Sequence, residues 1–368
     1  MKKKILFALL ILVSVSSESL LGQTLKSGFF RDKDIQTGFT AQTWSYGEER
    51  ISEYVIPLTV IVPVSQKLTI YAATSSAYAK LTSATKNLYG VTDTRISGSY
   101  IAMDNHLLVT GGVTIPTGKL QLDPGQSIVA SALATYPLNF RVPSFGQGLT
   151  VNLSGTYAFQ LGNYILGAGA CFVYMDGFKV NSGSDLKYKP GPQISINAGA
   201  ETNAKNRGDV KFTVDVTYTF YGTDKLGGSP YLKSGNKLIV DARALLALNK
   251  TDLMFFARER TKGKNENAGV PEDFNSNGNK IEAGGMSFTP TSDKFGIKGV
   301  IDLKYYSPNQ KEMDGAMIGG LGAGFSYSPT RNFTFDLLIK YSIGNLKNKG
   351  ETINITGMEL NGGLKFRI

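Results

Sequence analysis

Opposite charges recur at even spacing inside stretches that are otherwise apolar. Asp93 pairs in this way with Arg95, Lys211 with Asp215, Asp241 with Arg243, Lys298 with Asp302 and Lys304, and Asp336 with Lys340. An extended chain turns successive side chains to opposite faces, so even spacing places both members on one face. A buried charge is costly unless it is paired or wet. The chemistry open to these residues is therefore electrostatic. They can form a closed ladder of ion pairs, or line a water-filled path and tune which solutes cross it.

Other chemistry has little support. Proton-transfer catalysis most often uses a histidine, and the single histidine, His106, follows a turn at residues 103–105. Its face neighbours are Leu108, Thr110 and Thr114, with no lipase-like serine motif, so no catalytic role is expected. The loop from Asp273 to Asn279 has oxygen donors at positions 1, 3, 5 and 7 and Gly278 at position 6, like the start of a calcium loop. The twelfth position is Gly284 rather than a bidentate glutamate, although Glu282 is near. An Asn/Gly-rich loop without metal is expected, and no cofactor. The lone Cys171 excludes an intrachain disulfide framework and reads as a small buried side chain in a strand.

The elements that must position these charges are strands. In residues 332–343 one face reads Phe333, Phe335, Leu337, Ile339, Tyr341, Ile343, and the other carries Asp336 and Lys340. In residues 209–220 Val210, Phe212, Val214, Val216, Tyr218 and Phe220 alternate with Lys211, Thr213, Asp215, Thr217 and Thr219. Seventeen such segments can be drawn, most of 10–14 residues. Membrane strands need roughly 9–11 residues, whereas globular strands average about 5–6. Short polar turns alternate with longer loops, the plan of an outer-membrane barrel. Bacterial single-chain barrels have even strand numbers, so at least one segment is misassigned. The weakest are 37–46, 128–138 and 280–288. The expectation is an all-β fold, a transmembrane antiparallel up-and-down β-barrel of 14–16 strands.

The chain opens with Lys2, Lys3 and Lys4, an 11-residue apolar run at 5–15, and a small residue, Gly22, at a plausible cleavage point. That is an export signal, too short to span a bilayer as a helix. Residues 1–22 are expected to be removed and 23–368 to form the barrel. Charged residues are only 18% of the chain, below the usual ~25%. Removing residues 1–22 takes away three lysines and one glutamate, so the net charge of +10 becomes +8. There is no aromatic-interleaved basic patch, which argues against nucleic acid. The expected partners are outer-membrane lipids including lipopolysaccharide, and a small-molecule solute.

Met358, Leu360, Gly362, Leu364, Phe366 and Ile368 share one face up to the last residue. This resembles the terminal strand recognised by the barrel-assembly machinery, although the usual form ends in Phe. Residues 90–100, GVTDTRISGSY, followed by 107–118, LLVTGGVTIPTG, resemble outer-membrane proteins grouped as phenol-degradation meta-pathway transporters. The resemblance covers about 30 of 368 residues. It implies a barrel of the broad hydrophobic and aromatic compound uptake class. The Asn-Pro-Ala hatch motif of the fatty-acid porins is not seen near the mature N-terminus.

The reading that follows is a passive outer-membrane channel or transporter, not an enzyme. Its selectivity residues would be Arg95, Lys211, Asp215, Asp241, Arg243, Lys298, Asp302, Lys304, Asp336 and Lys340. A structural or adhesive barrel with a blocked lumen stays open as the alternative, and a rim enzyme as a third.

Overall fold

Period-two alternation governs the structure, a computed structural model that describes residues 33–134, 137–180, 185–202, 209–309, 314–348 and 350–368. The export-signal segment lies outside the described residues. Sixteen antiparallel strands close into a barrel. They are β1 (Asp34–Tyr46), β2 (Glu49–Pro63), β3 (Leu68–Leu81), β4 (Leu88–Val91 continued by Thr94–Ala102) and β5 (Leu107–Ile115). Next come β6 (Thr150–Leu161), β7 (Tyr164–Met175), β8 (Gln193–Thr202), β9 (Val210–Tyr221), β10 (Lys237–Leu248) and β11 (Thr251–Lys262). The last are β12 (Asn279–Pro290), β13 (Phe295–Tyr306), β14 (Gly315–Thr330), β15 (Phe333–Asn348) and β16 (Glu351–Arg367). Each strand pairs with its sequence neighbours, and β1 closes on β16 from Asp34↔Arg367 to Tyr46↔Ile355.

The two faces separate by polarity. On β15, Ile339, Tyr341 and Ile343 are 45%, 56% and 57% exposed, whereas Ser342 is 5% exposed. The apolar face therefore points outward and the polar face into the lumen. Across the belt, Ile56, Leu58, Leu153, Ile301 and Leu321 are exposed midway along their strands. Aromatics flank them at both ends. Phe295 stacks on Phe325 at 5.4 Å and Phe333 meets Phe366 at 5.0 Å near one rim, while Tyr218 meets Phe220 at 4.8 Å near the other. An apolar band between aromatic girdles is what a bilayer selects.

Of the seventeen expected strands, sixteen form. Residues 128–138 do not. Residues 128–133 fall in α1 (Pro124–Leu133) and Leu138 in a turn, while 135 and 136 lie outside the described residues. Asp123 Oδ1 accepts from the Gln126 amide at 3.0 Å, and Gln126 Oε1 accepts from the Asp123 amide at 3.5 Å. These two bonds make a capping box, and Pro124 at the first helical position adds to it. Gln126, Val129 and Leu133 are the buried face. That is helical spacing, not alternation. With this segment removed, residues 116–149 become one long loop. The long loops then all lie on the rim opposite the short-turn rim, which carries Asp34 and Arg367, and on the long-loop rim β1–β2 and β15–β16 are also joined by two-residue connections.

Candidate functional site

The lumen is the site, and the loop of residues 116–149 shapes it. The loop folds inward from the long-loop rim and packs on the inner face of one part of the wall. Val129, Leu133, Leu138, Phe140, Val142 and Phe145 form one cluster with Trp44, Ile51, Val55, Leu88, Tyr306, Ile318 and Ile355. Polar contacts pin the loop backbone. Gln42 Nε2 donates to the carbonyls of Leu138 at 3.1 Å and Asn139 at 3.2 Å. Tyr306 Oη donates to the Pro137 carbonyl at 3.2 Å. The Val142 amide donates to both carboxylate oxygens of Glu53 at 3.2 Å. These acceptors and donors lie in the lumen because the loop carries backbone polar groups that water cannot reach there.

Asp93 has a different role from the one expected. It sits in the break within β4 and accepts from the Gly118 amide at 2.9 Å and the Gln147 amide at 2.7 Å. One carboxylate thus ties both ends of the inward loop. Gly118 is required for the close approach, since an added Cβ would lie 1.9 Å from the Phe145 carbonyl oxygen. The Asp93 and Pro116-Thr117-Gly118 stretches that carry the family resemblance meet here as a structural latch. The loop that enters the lumen is thus the one at residues 116–149.

All ten proposed selectivity residues lie on the inward face by register. Their pairing differs from the one read along each strand. Asp241 does hold Arg243 at 2.5 Å, and it also holds Arg258 of β11 at 2.7 Å. Lys211 pairs with Glu201 of β8 at 2.7 Å rather than with Asp215. Lys298 pairs with Asp336, two strands away. Asp302 takes Lys340 at 3.4 Å and Lys304 at 3.9 Å, and Lys340 also reaches Glu359 at 3.3 Å. The reason is distance. Residues four apart on a strand are separated by about 13 Å, whereas adjacent strands lie under 5 Å apart. Gly320 of β14 lies between Asp302 and Ser342 in register. An added Cβ there would lie 2.1 Å from Asp302 Oδ1, so the glycine makes room for the carboxylate.

Sequence reasoning missed Glu53, Glu201, Arg258, Lys280, Glu282 and Glu359. Each is an inward charge; Lys280 and Glu282 are same-strand mates at even spacing, and the other four find their partners on neighbouring elements. Glu201 and Arg258 did alternate correctly within their segments, and that was the signal available. Lys280 and Glu282 pair at 2.6 Å on β12. The wall of β10 and β11 is the most cationic. Its inward positions hold Arg243, Arg258, Arg260 and Lys262 against Asp241 and Asp252.

The remaining candidates stay outside this lumen chemistry. His106 Nδ1 lies 2.8 Å from the Ala158 carbonyl, and its ring stacks on Tyr157 at the short-turn rim. Cys171 is on the inward face and only partly buried, because its strand neighbours across the ladder are small. In the calcium-like loop, Asn275 Oδ1 accepts from the Asn277 amide at 2.9 Å, and Asn277 Nδ2 donates to the Gly263 carbonyl at 2.7 Å. Lys264 Nζ donates to the Asp273 carbonyl at 2.9 Å. The donors that a calcium ion would need are thus partly spent within the loop. Among the described residues no cluster of His, Cys, Asp or Glu is placed to hold a metal ion.

Beyond the long-loop rim a second sheet of six short strands joins three loops. It runs from Phe178–Lys179 through Lys187–Lys189, Thr223–Leu226, Ser229–Lys233 and Glu266–Asn267 to Val270–Pro271. Tyr188 Oη donates to Asp224 Oδ2 at 2.5 Å, and burial together with that carboxylate pushes the phenol above its ordinary pKa. Ser276 Oγ donates to Glu272 at 2.7 Å and holds that carboxyl below its ordinary value.

No protein-family model and no curated protein matches the sequence. Solved structures do match in fold. An outer membrane channel from Pseudomonas putida F1 aligns over 92% of this chain and 96% of its own, at 10% identity and TM-score 0.38. Pseudomonas putida OprB aligns over 91% and 94%, at 10% identity and TM-score 0.44. CdiB from Acinetobacter baumannii aligns over 89% of this chain and 60% of its own, at 8% identity and TM-score 0.50. At such identities the likeness is one of fold, a membrane β-barrel.

Proposed function

We propose that the protein is an outer-membrane channel for passive diffusion of small solutes. The observation that carries this reading is the charged inward face of a closed sixteen-strand barrel whose inward loop packs on only part of the wall. Barrels of this strand number leave an aqueous channel, whereas eight-stranded ones are filled by side chains. The loop narrows the route and pushes it toward the cationic wall of β10 and β11, which favours anions mildly. The ten inward residues named from the sequence tune that preference, and the driving force is the solute gradient.

The short-turn rim faces the periplasm in this reading and the long loops face outside. Basic loop residues such as Lys187, Lys189 and Lys225 suit lipopolysaccharide phosphates. The C-terminal strand β16 is the handle for the barrel-assembly machinery, and residues 1–22 are the export signal.

A planar bilayer holding the purified mature chain tests the function. Stepwise conductance in potassium chloride with a reversal potential on the anion side is expected. Absence of any conductance would instead favour a structural or adhesive barrel. The six-stranded loop sheet over the rim is the observation that keeps that second reading in view.

A further inference from the structure

Six apolar side chains form one contiguous patch on the inward face of β10–β13, where charge and hydroxyl groups would be expected. Leu245, Met254, Met286 and Val300 are successive cross-strand neighbours on one rung. Phe256 stands one rung toward the long-loop rim, opposite Arg243 and Gly284. Phe288 stands one rung toward the short-turn rim, opposite Asp252 and Lys298. Only Val300, at 6% exposure, is buried; the other five are partly open. Their exposed surface faces the lumen, because the lipid face is carried by the alternate residues.

The apolar residues of the inward loop pack elsewhere on the wall. The cluster they form is built with β1–β4, β13, β14 and β16 and includes none of the six. The rings lie flat against the wall rather than across the passage. An added Cβ at Gly284 would lie 2.7 Å from Phe256 Cε1, and one at Gly296 would lie 2.5 Å from Phe288 Cε2. Each ring is thus laid over a glycine of the next strand, which keeps the passage open while making its wall apolar. The Phe256 end of the patch is the cationic one: Arg243 is beside Phe256, Arg258 is one rung further, and the two arginines share the single carboxylate of Asp241. At the Phe288 end Lys298 is paired with Asp336, and Asp252 faces the ring.

We propose that this wall is a transient binding site for organic monoanions with an apolar tail, carboxylates above all. The carboxylate would meet Arg243 and Arg258, which share one aspartate, while the tail lies across Phe256, Met286 and Phe288. The charge complementarity selects the head group and the six side chains select the tail. This deepens the channel reading and rests on it.

Hexanoate and acetate are the probes, since they differ only in the tail. Two readouts are used on the mature chain: block of potassium chloride conductance in planar bilayers, and binding to the barrel in lipid nanodiscs after subtraction of empty discs. Hexanoate should act at about tenfold lower concentration than acetate, given four extra methylene groups that become partly buried. Phe256→Ser with Phe288→Ser should bring the two probes together, and Phe256→Leu with Phe288→Leu should largely restore the difference. Met286→Gln serves as an independent variant, with heat-modifiable migration as the check that each barrel is folded. Equal potency of the two probes on the wild-type chain overturns the proposal. So does a tail preference that the serine and glutamine variants leave unchanged. A tail preference lost in those variants, on a barrel that passes no potassium chloride current, sinks the channel reading and leaves the site standing.

Discussion

The backbone amide of Val142 sits 3.2 Å from each carboxylate oxygen of Glu53, inside the barrel. Glu53 is fully buried, and the amide belongs to the loop that narrows the lumen. Removing one partner so that a buried donor is left unsatisfied costs roughly 1–3 kcal/mol. Glu53→Ala should therefore cost about 2 kcal/mol in urea unfolding and loosen the loop. Faster proteolysis within residues 116–149 and a larger, noisier conductance are the expected signs. Glu53→Gln retains an acceptor and should sit between the two. Unaltered proteolysis in the alanine variant would mean that the apolar cluster alone holds the loop.

Leu338 and Ile339 are consecutive on β15 and face opposite ways, Ile339 being 45% exposed on the lipid side. Arginine at the bilayer midplane costs about 2–4 kcal/mol, whereas in a wet lumen the charge stays solvated. Ile339→Arg should lower unfolding stability in lipid by that amount, and Leu338→Arg by much less. Equal losses would contradict the separation of the two faces.

Strand alternation carried most of the fold because one face meets lipid and the other water, so both periodicity and length are written in the residues. Sixteen strands were legible for that reason. Residues 128–138 were misread because Ile128, Ala130 and Ala132 imitate alternation over a few positions. The capping box of Asp123 and Gln126 with Pro124 was the stronger local signal, and it won. The inward charges were legible as a face, but their partners were not. Lys211 with Glu201 and Lys298 with Asp336 are joined by register, a relation between distant segments that spacing along one strand does not contain. Asp93 was placed in the lumen because it alternates with Arg95, yet the break in β4 turns it onto the loop amides.

Asp123 caps α1 and meets Lys86 Nζ at 3.0 Å, and the Gln126 amide first, then Lys86, hold its carboxyl below the ordinary value. A carboxyl depressed in the folded state contributes stability that is fully present above its unfolded pKa, roughly 3.9. That contribution is lost as pH falls through the lower folded value. Limited proteolysis of α1 by an acid-tolerant protease should therefore rise as pH falls below about 4. Asp123→Asn keeps the cap without the titration and should flatten this rise, while Asp123→Ala should raise cleavage at neutral pH. A rise of the same size in the asparagine variant would assign the acid effect to another group.

Lys298 and Lys340 test whether the ion-pair wall belongs to the permeation route. Lys298 neutralises Asp336, and Lys340 lies between Asp302 at 3.4 Å and Glu359 at 3.3 Å. Replacing both by glutamine removes two positive charges, takes the lysine from Asp336 and from Glu359, and leaves Asp302 with Lys304 alone, without adding new charge. Unbalanced carboxylates within a Debye length of about 8 Å of the path repel anions at physiological salt. The reversal potential under a salt gradient should then move from the anion side toward the cation side. The shift should grow as salt is lowered, because screening weakens. Charge reversal to glutamate at both positions should move it further, at a cost in stability from carboxylates set against one another. A reversal potential unchanged in the double glutamine variant would place the selective section elsewhere. The wall of β10 and β11, with Arg243, Arg258, Arg260 and Lys262 facing inward, is then the section to neutralise next.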